Sequence, residues 1–110
     1  DLAAAYDARG TAGVAASYAA AAYRLTPSNA DAAHLYGWSL YRAGDAAASL
    51  QLLEKAVRLA PEAAMVRWHI AQVYAALDRR AEARFHAGIA LRDPRFRERD
   101  AAAALIAGLV

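Results

Sequence analysis

The sequence lacks cysteine altogether and contains only three prolines, six glycines and one lysine among its 110 residues. Because there is no cysteine, the chain forms neither disulfides nor thiolate metal sites, and the sequence does not indicate an oxidising or a reducing compartment. No run of eighteen apolar residues is free of charge, so no membrane-spanning helix is predicted. The hydrophobic content of 59% reflects alanine, about a third of all residues, and a chain of this length predicts one domain.

The prolines are spaced as in a repeat, since Pro27 and Pro61 lie 34 residues apart and Pro94 follows after 33. An internal period of this length is typical of helical repeat arrays. Proline lacks an amide donor and disfavours a helical residue before it, so each proline predicts the end of a helix. We therefore divide the single predicted domain, 1–110, into a partial first copy at 1–29, a second copy at 30–63, a third copy at 64–95 and a closing helix at 96–110.

Aligned on the prolines, the copies share large residues in their first half and small residues in their second half. The large residues are Leu2, Tyr36 and Ile70, with Tyr6, Leu40 and Tyr74; the small residues are Ala15, Ser49 and Ala83, with Ala22, Ala56 and Ala90. Apolar residues recur at helical spacing, and Gly44 interrupts them with a residue that tolerates the left-handed conformation of a helix C-terminus. Each copy is therefore predicted to be a helix, a tight turn and a second helix. The predicted helices are 2–9, 12–25, 30–43, 46–59, 63–77, 80–92 and 96–109.

These positions resemble the tetratricopeptide repeat family over nearly the whole chain. The resemblance is visible in the second copy. Gly37 is the small residue at the eighth position, and Gly44 and Asp45 form the Gly-Asp pair at the turn. Ala56 is the alanine late in the second helix, and Pro61 is the proline at position thirty-two. The departures are Ala33 and Arg67 at the usual tryptophan position, Ser49 for alanine, Asp78-Arg79 for Gly-Asp, and the early Pro94. The resemblance implies an all-α fold, a right-handed superhelical solenoid of antiparallel helix pairs with about 2.75 repeats and a C-terminal capping helix.

The resemblance also implies a concave groove, lined by the first helices of successive copies, that binds a peptide or a helix of a partner protein. In the second copy the groove positions are Asp31, His34, Leu35, Trp38, Tyr41 and Arg42, and in the third they are Met65, Trp68, His69 and Gln72. Tryptophan, tyrosine and arginine are enriched at binding hot spots, so Trp38 and Trp68 are predicted to hold an apolar side chain of the ligand. The alternative is that each tryptophan ring fills the gap between adjacent first helices. Tyr36 and Tyr74 are predicted to lie in the core of their helix pairs.

Two more specific functions are weighed against these positions. Family members that bind the acidic C-terminal carboxylate of chaperones use lysine, asparagine and arginine on the inner face, where this chain has Ala4, Leu35, Met65 and His69. That ligand is therefore not expected. His34 and His69, with Asp31, are conceivable metal or base residues, but neither an HExxH-like spacing nor a nucleophile accompanies them. We predict no catalytic residue, no metal site and no cofactor.

Charge is nearly balanced, with thirteen basic and eleven acidic residues and a net charge of +2. The arginines within 79–84 and 92–99 alternate with acidic residues at i,i+3 and i,i+4 spacing. This pattern favours solvated ion pairs over a phosphate-binding surface, so no nucleic-acid partner is predicted.

The two ends of the chain predict different surfaces. In the closing helix the apolar residues Phe96, Ala103, Leu105, Ile106 and Leu109 are predicted to pack on the third copy, with Arg97, Arg99 and Asp100 facing water. The first copy opens in mid-repeat and without methionine, so we expect a fragment of a longer protein. Self-association through this uncapped N-terminal end, or through the apolar C-terminal tail, is a second expectation.

The predicted function is that of a non-catalytic protein-interaction module that binds a peptide or a helix of an unidentified partner. The alternative, from a different class, is a structural spacer or oligomerisation segment of a larger enzyme or of a bacterial secretion or envelope assembly. The alanine-rich and arginine-rich composition resembles that of GC-rich bacteria, and the bacterial cytoplasm and periplasm are both compatible with it.

Overall fold

The computed structural model of the protein describes the backbone of residues 2–109 and the side chains of residues 11–109. Within these residues the chain is all-α and contains no strand. The six helices are α1 (Leu2–Leu25), α2 (Ala30–Arg42), α3 (Ala46–Leu59), α4 (Ala64–Ala76), α5 (Arg80–Ala90) and α6 (Arg99–Gly108). None of these described helices is long and apolar enough to cross a membrane. The chain divides after Leu59 into two compact units, one containing α1 to α3 and the other α4 to α6.

Five of the seven predicted helices are confirmed as α2 to α6, with ends that differ by at most three residues. The predicted turn between 2–9 and 12–25 is wrong, because α1 runs without a break from Leu2 to Leu25. Gly10 stands at the repeat position of Gly44, yet it lies inside a helix. The flanking residues are rich in alanine and favour helix, and an internal glycine costs only about 1 kcal/mol relative to alanine.

The turn between α2 and α3 is a Schellman motif at Gly44, which has a φ of 101°. The Gly44 amide donates to the Tyr41 carbonyl at 3.0 Å, and the Asp45 amide donates to the Leu40 carbonyl at 2.9 Å. These bonds satisfy carbonyls that the end of α2 leaves without helical partners. The Asp45 carboxylate then accepts from the Ala48 amide at 3.0 Å and caps α3.

The same motif recurs 34 residues later, between α4 and α5. Asp78 has a φ of 60°. Its amide donates to the Ala75 carbonyl at 3.0 Å, and the Arg79 amide donates to the Tyr74 carbonyl at 2.9 Å. Among the described residues, Gly44 and Asp78 are the two with left-handed φ values. The departure from Gly-Asp in the third copy therefore changes the residue type and preserves the turn.

Each proline occupies the second position of a turn that is closed by one backbone hydrogen bond. The bonds run from the Asn29 amide to the Thr26 carbonyl at 3.0 Å, from Ala63 to Ala60 at 3.1 Å and from Phe96 to Asp93 at 3.1 Å. Proline is favoured at this position because its ring fixes φ near the value that the turn requires. The prediction that each proline follows the end of a helix is therefore confirmed.

In the first unit, α1 packs on α2 through a stripe of small residues. The stripe consists of Ala12, Ala16 and Ala19, which are buried and recur at i, i+4 and i+7. Beyond the stripe, the ring of Tyr23 lies 5.7 Å from that of Tyr36. The Lys55 ammonium on α3 donates to the Tyr23 hydroxyl at 2.6 Å and so connects α3 to α1.

Gly37 allows α2 and α3 to approach closely. A Cβ atom at this position would lie 2.9 Å from Leu53 Cγ and 3.1 Å from Leu52 Cβ. Leu53 and Ser49 on the facing side of α3 are fully buried. The small residue at this position is therefore required by packing.

The aligned small residues of the second helices behave differently in the first copy. Ser49, Ala56, Ala83 and Ala90 are 0% exposed, as predicted for positions of close approach. Ala15 and Ala22, their counterparts in the first copy, are exposed, which corrects the prediction there. Because α1 is continuous, residues 2–9 do not fold back over them.

In the second unit, α4 and α5 meet in a layer of aromatic and polar contacts. Tyr74 is buried as predicted, and its ring stacks on that of His86 with centroids 5.5 Å apart. Arg67 on α4 donates to His86 Nδ1 at 3.0 Å and to the Pro61 carbonyl at 3.0 Å. Because arginine only donates, Nδ1 accepts and the imidazole carries its proton on Nε2. Tyr36, the equivalent core prediction in the first unit, is half-buried.

The closing segment covers α4 and α5 with one face. Phe96, in the turn before α6, and Ala102 are buried in a cluster that also contains Trp68, Ala71, Ala87 and Ala90, and Leu105 and Ile106 pack against it. The predicted packing of Phe96, Leu105 and Ile106 is confirmed. Ala103 is exposed instead, and Ala102 takes the buried position, because it precedes Leu105 and Ile106 by three and four residues and so shares their face of the helix.

The arginines make local contacts at the ends of helices. Arg79 pairs with Glu82 across one turn, and Arg80 Nε lies 3.0 Å from the Asp78 carboxylate. Arg99 Nη1 donates instead to the carbonyls of Leu91 and Asp93, at 2.8 Å and 2.7 Å, after the end of α5. These exposed contacts each contribute little to stability.

Gly44 and Asp78 are the two positions with left-handed φ, and exchanging their residue types gives a matched pair of variants. Asp78→Gly is expected to raise the free energy of unfolding by about 0.5–1 kcal/mol, because glycine has no side chain to clash at positive φ. Gly44→Asp is expected to lower it by about 1–2 kcal/mol. Urea denaturation followed by circular dichroism measures both values. A less stable Asp78→Gly variant would contradict the assignment of strain to this turn.

Ser49 provides a second stability test, because it is fully buried and its Oγ has no hydrogen-bond partner among the described residues. Ser49→Ala is expected to raise the free energy of unfolding by about 1 kcal/mol, since it removes an unsatisfied hydroxyl and introduces a better helix former. Ala83→Ser, at the same position of the third copy, is expected to lower it by about as much. Thermal and urea unfolding check both; a destabilised Ser49→Ala variant would refute this explanation.

Candidate functional site

A cleft of about 360 Å³ opens between α1 and α2 in the first unit. Its lining residues are Thr11, Ala12 and Ala15 from α1, and Leu35, Trp38, Ser39 and Arg42 from α2. The α2 residues recur at i, i+3, i+4 and i+7, so they share one face of the helix. The small residues of α1 leave space that the larger side chains of α2 border.

Trp38 is the largest side chain of this cleft. Its ring lies 5.3 Å from that of Tyr41, and both rings are half-buried. Leu35 is 56% exposed and adds apolar surface one turn earlier. Arg42 is exposed in the last turn of α2, where the helix dipole favours a positive charge. The cleft therefore combines apolar walls with one cationic group at one end.

His34 and Asp31 lie one turn apart on α2. Burial lowers the pKa of His34 below its usual value of 6.5, and the negative charge of Asp31 opposes this shift. The imidazole is therefore neutral at pH 7. Asp31 is exposed in the first turn of α2, where a carboxylate interacts favourably with the helix dipole.

Trp68 lies in the core of the second unit. It is 8% exposed, and its ring meets the ring of Phe96 edge-on with centroids 6.3 Å apart. The closing segment covers it, so a ligand has no access to this ring in the structure. The burial of Trp68 favours the alternative interpretation, in which the ring fills space between helices.

The remaining predicted residues of the second unit are not gathered around one cavity. Met65 is 41% exposed and borders a second cleft, of about 480 Å³, with Ala64, Asp93 and residues 95–98. His69 and Gln72 are half-buried on α4. The first unit, in contrast, brings Leu35, Trp38 and Arg42 together at one cleft.

Sequence reasoning missed the other half of that cleft, formed by Thr11, Ala12, Ala15 and Ser39. The predicted groove contained residues of the first helices only. The α1 residues were missed because this part of the chain was predicted to belong to a second helix. The available signal was the stripe of small residues from Ala12 to Ala19, whose helical spacing identifies the face of α1 that packs on α2.

The side chains that line the cleft offer apolar contact and hydrogen-bond donors. Within residues 11–109 no group of three or more histidine or carboxylate side chains is arranged to hold a metal ion. His86 is engaged by Arg67 and Tyr74 between α4 and α5. The cleft offers an aromatic ring, aliphatic surface and a guanidinium, which suit recognition of an apolar group next to a polar one.

Comparison with protein-family models gives no match for this chain, and comparison with curated proteins gives none.

His34 is expected to make the stability of the protein depend on pH. Because its pKa is lowered in the folded protein, the unfolded chain binds the proton more readily. This contribution to stability is therefore complete above pH 6.5 and is lost as the pH falls through the lowered pKa.

The measurement is the Tm at a series of pH values from about 7 down to about 5, for the wild type and His34→Gln. The variant is expected to lose less of its Tm over this range. Asp31→Asn removes the charge that opposes the shift, and we expect it to steepen the wild-type loss. Superimposable profiles for all three proteins would rule out His34 as the titrating group.

Proposed function

We propose that this chain is a non-catalytic protein-interaction module, and that its first unit binds an extended or helical segment of a partner protein in the cleft beside Trp38. The observation that carries this proposal is the coincidence of a 360 Å³ cleft, an exposed leucine and a half-buried tryptophan on one face of α2. Ligand sites are typically concave and mainly apolar, with volumes of about 300–1,000 Å³.

The chemistry of the cleft specifies the kind of segment that it would take. Trp38 and Leu35 offer apolar surface to one large apolar side chain, whose dehydration supplies affinity. Arg42 follows Trp38 by one turn on the same face, and its guanidinium donates to a carboxylate or a backbone carbonyl. The preferred ligand is a peptide with an apolar anchor and an acidic residue about one helical turn away.

We further propose that the two helix hairpins are tetratricopeptide-like repeats of a right-handed superhelical solenoid, with α1 as the second helix of an incomplete first copy and α6 as the capping helix. The 34-residue recurrence of the turns at Gly44 and Asp78 supports this proposal. So does the equal burial of Ser49 and Ala83 at the same interval. Repeat arrays of this kind commonly present extended binding surfaces.

Binding at the cleft is tested with peptides selected from a displayed random library on the immobilised chain. Trp68→Phe leaves Trp38 as the one tryptophan, so its fluorescence reports on the cleft. Bound peptide is expected to shift the emission to shorter wavelength, because the ring loses water. Trp38→Ala in the wild-type chain is expected to weaken binding by about thirtyfold, as for an aromatic hot spot.

Phe85→Ala is the matched control, because Phe85 is a 61% exposed aromatic residue on α5 and does not line the cleft. This variant is expected to bind the selected peptides with wild-type affinity. Circular dichroism verifies that both alanine variants keep their helix content. If the peptides bind Trp38→Ala and the wild type equally well, the cleft is not the binding site.

A further inference from the structure

The cleft beside Trp38 contains a buried hydroxyl group, that of Ser39. Ser39 is 6% exposed, the lowest value among the residues that line the cleft. The hydroxyls of Ser17 and Thr26, in α1 and just after it, donate to the carbonyls four residues earlier, at 3.2 Å and 3.3 Å. The Ser39 hydroxyl makes no bond of this kind and no hydrogen bond to any other described residue. Its donor and its acceptor are therefore available to a ligand.

The fold does not need a hydroxyl at this position. Val73 stands 34 residues later, at the equivalent position of α4, and it is fully buried. An apolar side chain is therefore accommodated there. Ser49, the other buried serine among the described residues, has an Oγ that protein atoms enclose, whereas Ser39 borders the cleft. The Ser39 hydroxyl thus lies where a ligand can reach it.

The other side chains of the cleft restrict what can enter beside Ser39. Ala12 and Ala15 lie on one side of the cleft, and Leu35 and Trp38 border the other. A side chain between them gains most free energy if it is apolar over most of its length. Its arrival removes water from the Ser39 hydroxyl, and a hydroxyl that loses water without gaining a partner costs free energy. The entering side chain therefore needs a polar atom at its inner end.

Among the protein side chains, tyrosine meets both requirements best. Its ring is apolar, and the hydroxyl at its tip both donates and accepts, as the Ser39 hydroxyl does. Phenylalanine fills the same space but leaves Ser39 without a partner. Serine and threonine supply a hydroxyl with little apolar surface, and tryptophan supplies only a donor, at the side of its ring system.

We propose that the anchor of the segment bound in the cleft is a tyrosine, and that Ser39 selects it over phenylalanine through a hydrogen bond between the two hydroxyls. This inference rests on the proposed function of the cleft and specifies its ligand further. The tyrosine ring lies against Trp38 and Leu35. Arg42 follows Ser39 by three residues on the same face of α2, so it stays available to the acidic residue of the segment. A site that hydrogen-bonds a ligand hydroxyl discriminates against the analogue that lacks it.

A pair of short alanine-based peptides tests this selection. Each is labelled with fluorescein and carries one aromatic residue with a glutamate one helical turn later; the aromatic residue is tyrosine in one peptide and phenylalanine in the other. Fluorescence anisotropy measures the dissociation constant of each peptide with the full chain. The wild type is expected to bind the tyrosine peptide about tenfold more tightly, because phenylalanine leaves the Ser39 hydroxyl dehydrated and without a partner.

Two substitutions of Ser39 form a matched pair. Ser39→Ala removes the hydroxyl, and it is expected to weaken binding of the tyrosine peptide about tenfold without weakening binding of the phenylalanine peptide. Ser39→Thr keeps the hydroxyl and is expected to keep the preference for tyrosine. Its added methyl group is expected to fit, because the similarly shaped Val73 is buried at the equivalent position. Circular dichroism verifies that both variants keep their helix content.

Trp38→Ala separates a failure of this inference from a failure of the proposed function. Equal wild-type affinities for the two peptides, both lost in Trp38→Ala, would overturn the tyrosine anchor and leave the cleft as the binding site. A preference that survives in Ser39→Ala would overturn the role of Ser39, and absence of binding by the wild type would overturn the tyrosine anchor. Binding that Trp38→Ala does not weaken would overturn the cleft as the site, and this inference with it.

Discussion

Each helix hairpin of this protein depends on one residue that adopts a left-handed φ at its turn. At Gly44 and at Asp78 this residue lets two amides reach back to the last carbonyls of the preceding helix, and the chain reverses there. Reversal brings small residues such as Ser49 and Ala83 under the preceding helix, where they are fully buried. Where Gly10 stays helical, no reversal occurs, and the corresponding surface of α1 is left exposed.

The two tryptophans, similar at first sight, occupy different positions of the repeat. Trp68 shares its position with His34, and Trp38 shares its position with Gln72. Trp68 is buried, and His34, which occupies the same position in the second copy, is half-buried. The position of Trp38 is half-buried, which keeps the ring fixed and still accessible. The two rings therefore differ in exposure as well as in repeat position.

Local chemistry explains which parts of the fold could be predicted from the sequence. Proline fixes φ at Pro27 and Pro61, and a left-handed residue is needed at Gly44, so the turns and most helix ends followed from short-range rules. The continuation of the helix through Gly10 did not follow from such rules. A glycine inside a helix costs about 1 kcal/mol, and this cost competes with the helix preference of the alanine-rich flanks and with packing. The polar link from Arg67 to His86 also depends on two helices meeting, which no local rule supplies.

The residues of the candidate site could also be predicted only in part. Leu35, Trp38 and Arg42 could be predicted because spacing along one helix fixes which side chains share a face. Thr11 and Ala15 could not, because their place in the cleft follows from α1 packing on α2 as a single long helix.

The hydrogen bond from Lys55 to the Tyr23 hydroxyl has a consequence for covalent labelling. Lys55 is the one lysine of the sequence, and it is half-buried in this bond between α3 and α1. A protonated, hydrogen-bonded ammonium does not attack an acylating reagent, so reaction requires that α3 separate locally from α1 and that the amine lose its proton. The rate of acylation at this single side chain therefore measures how often the first unit opens.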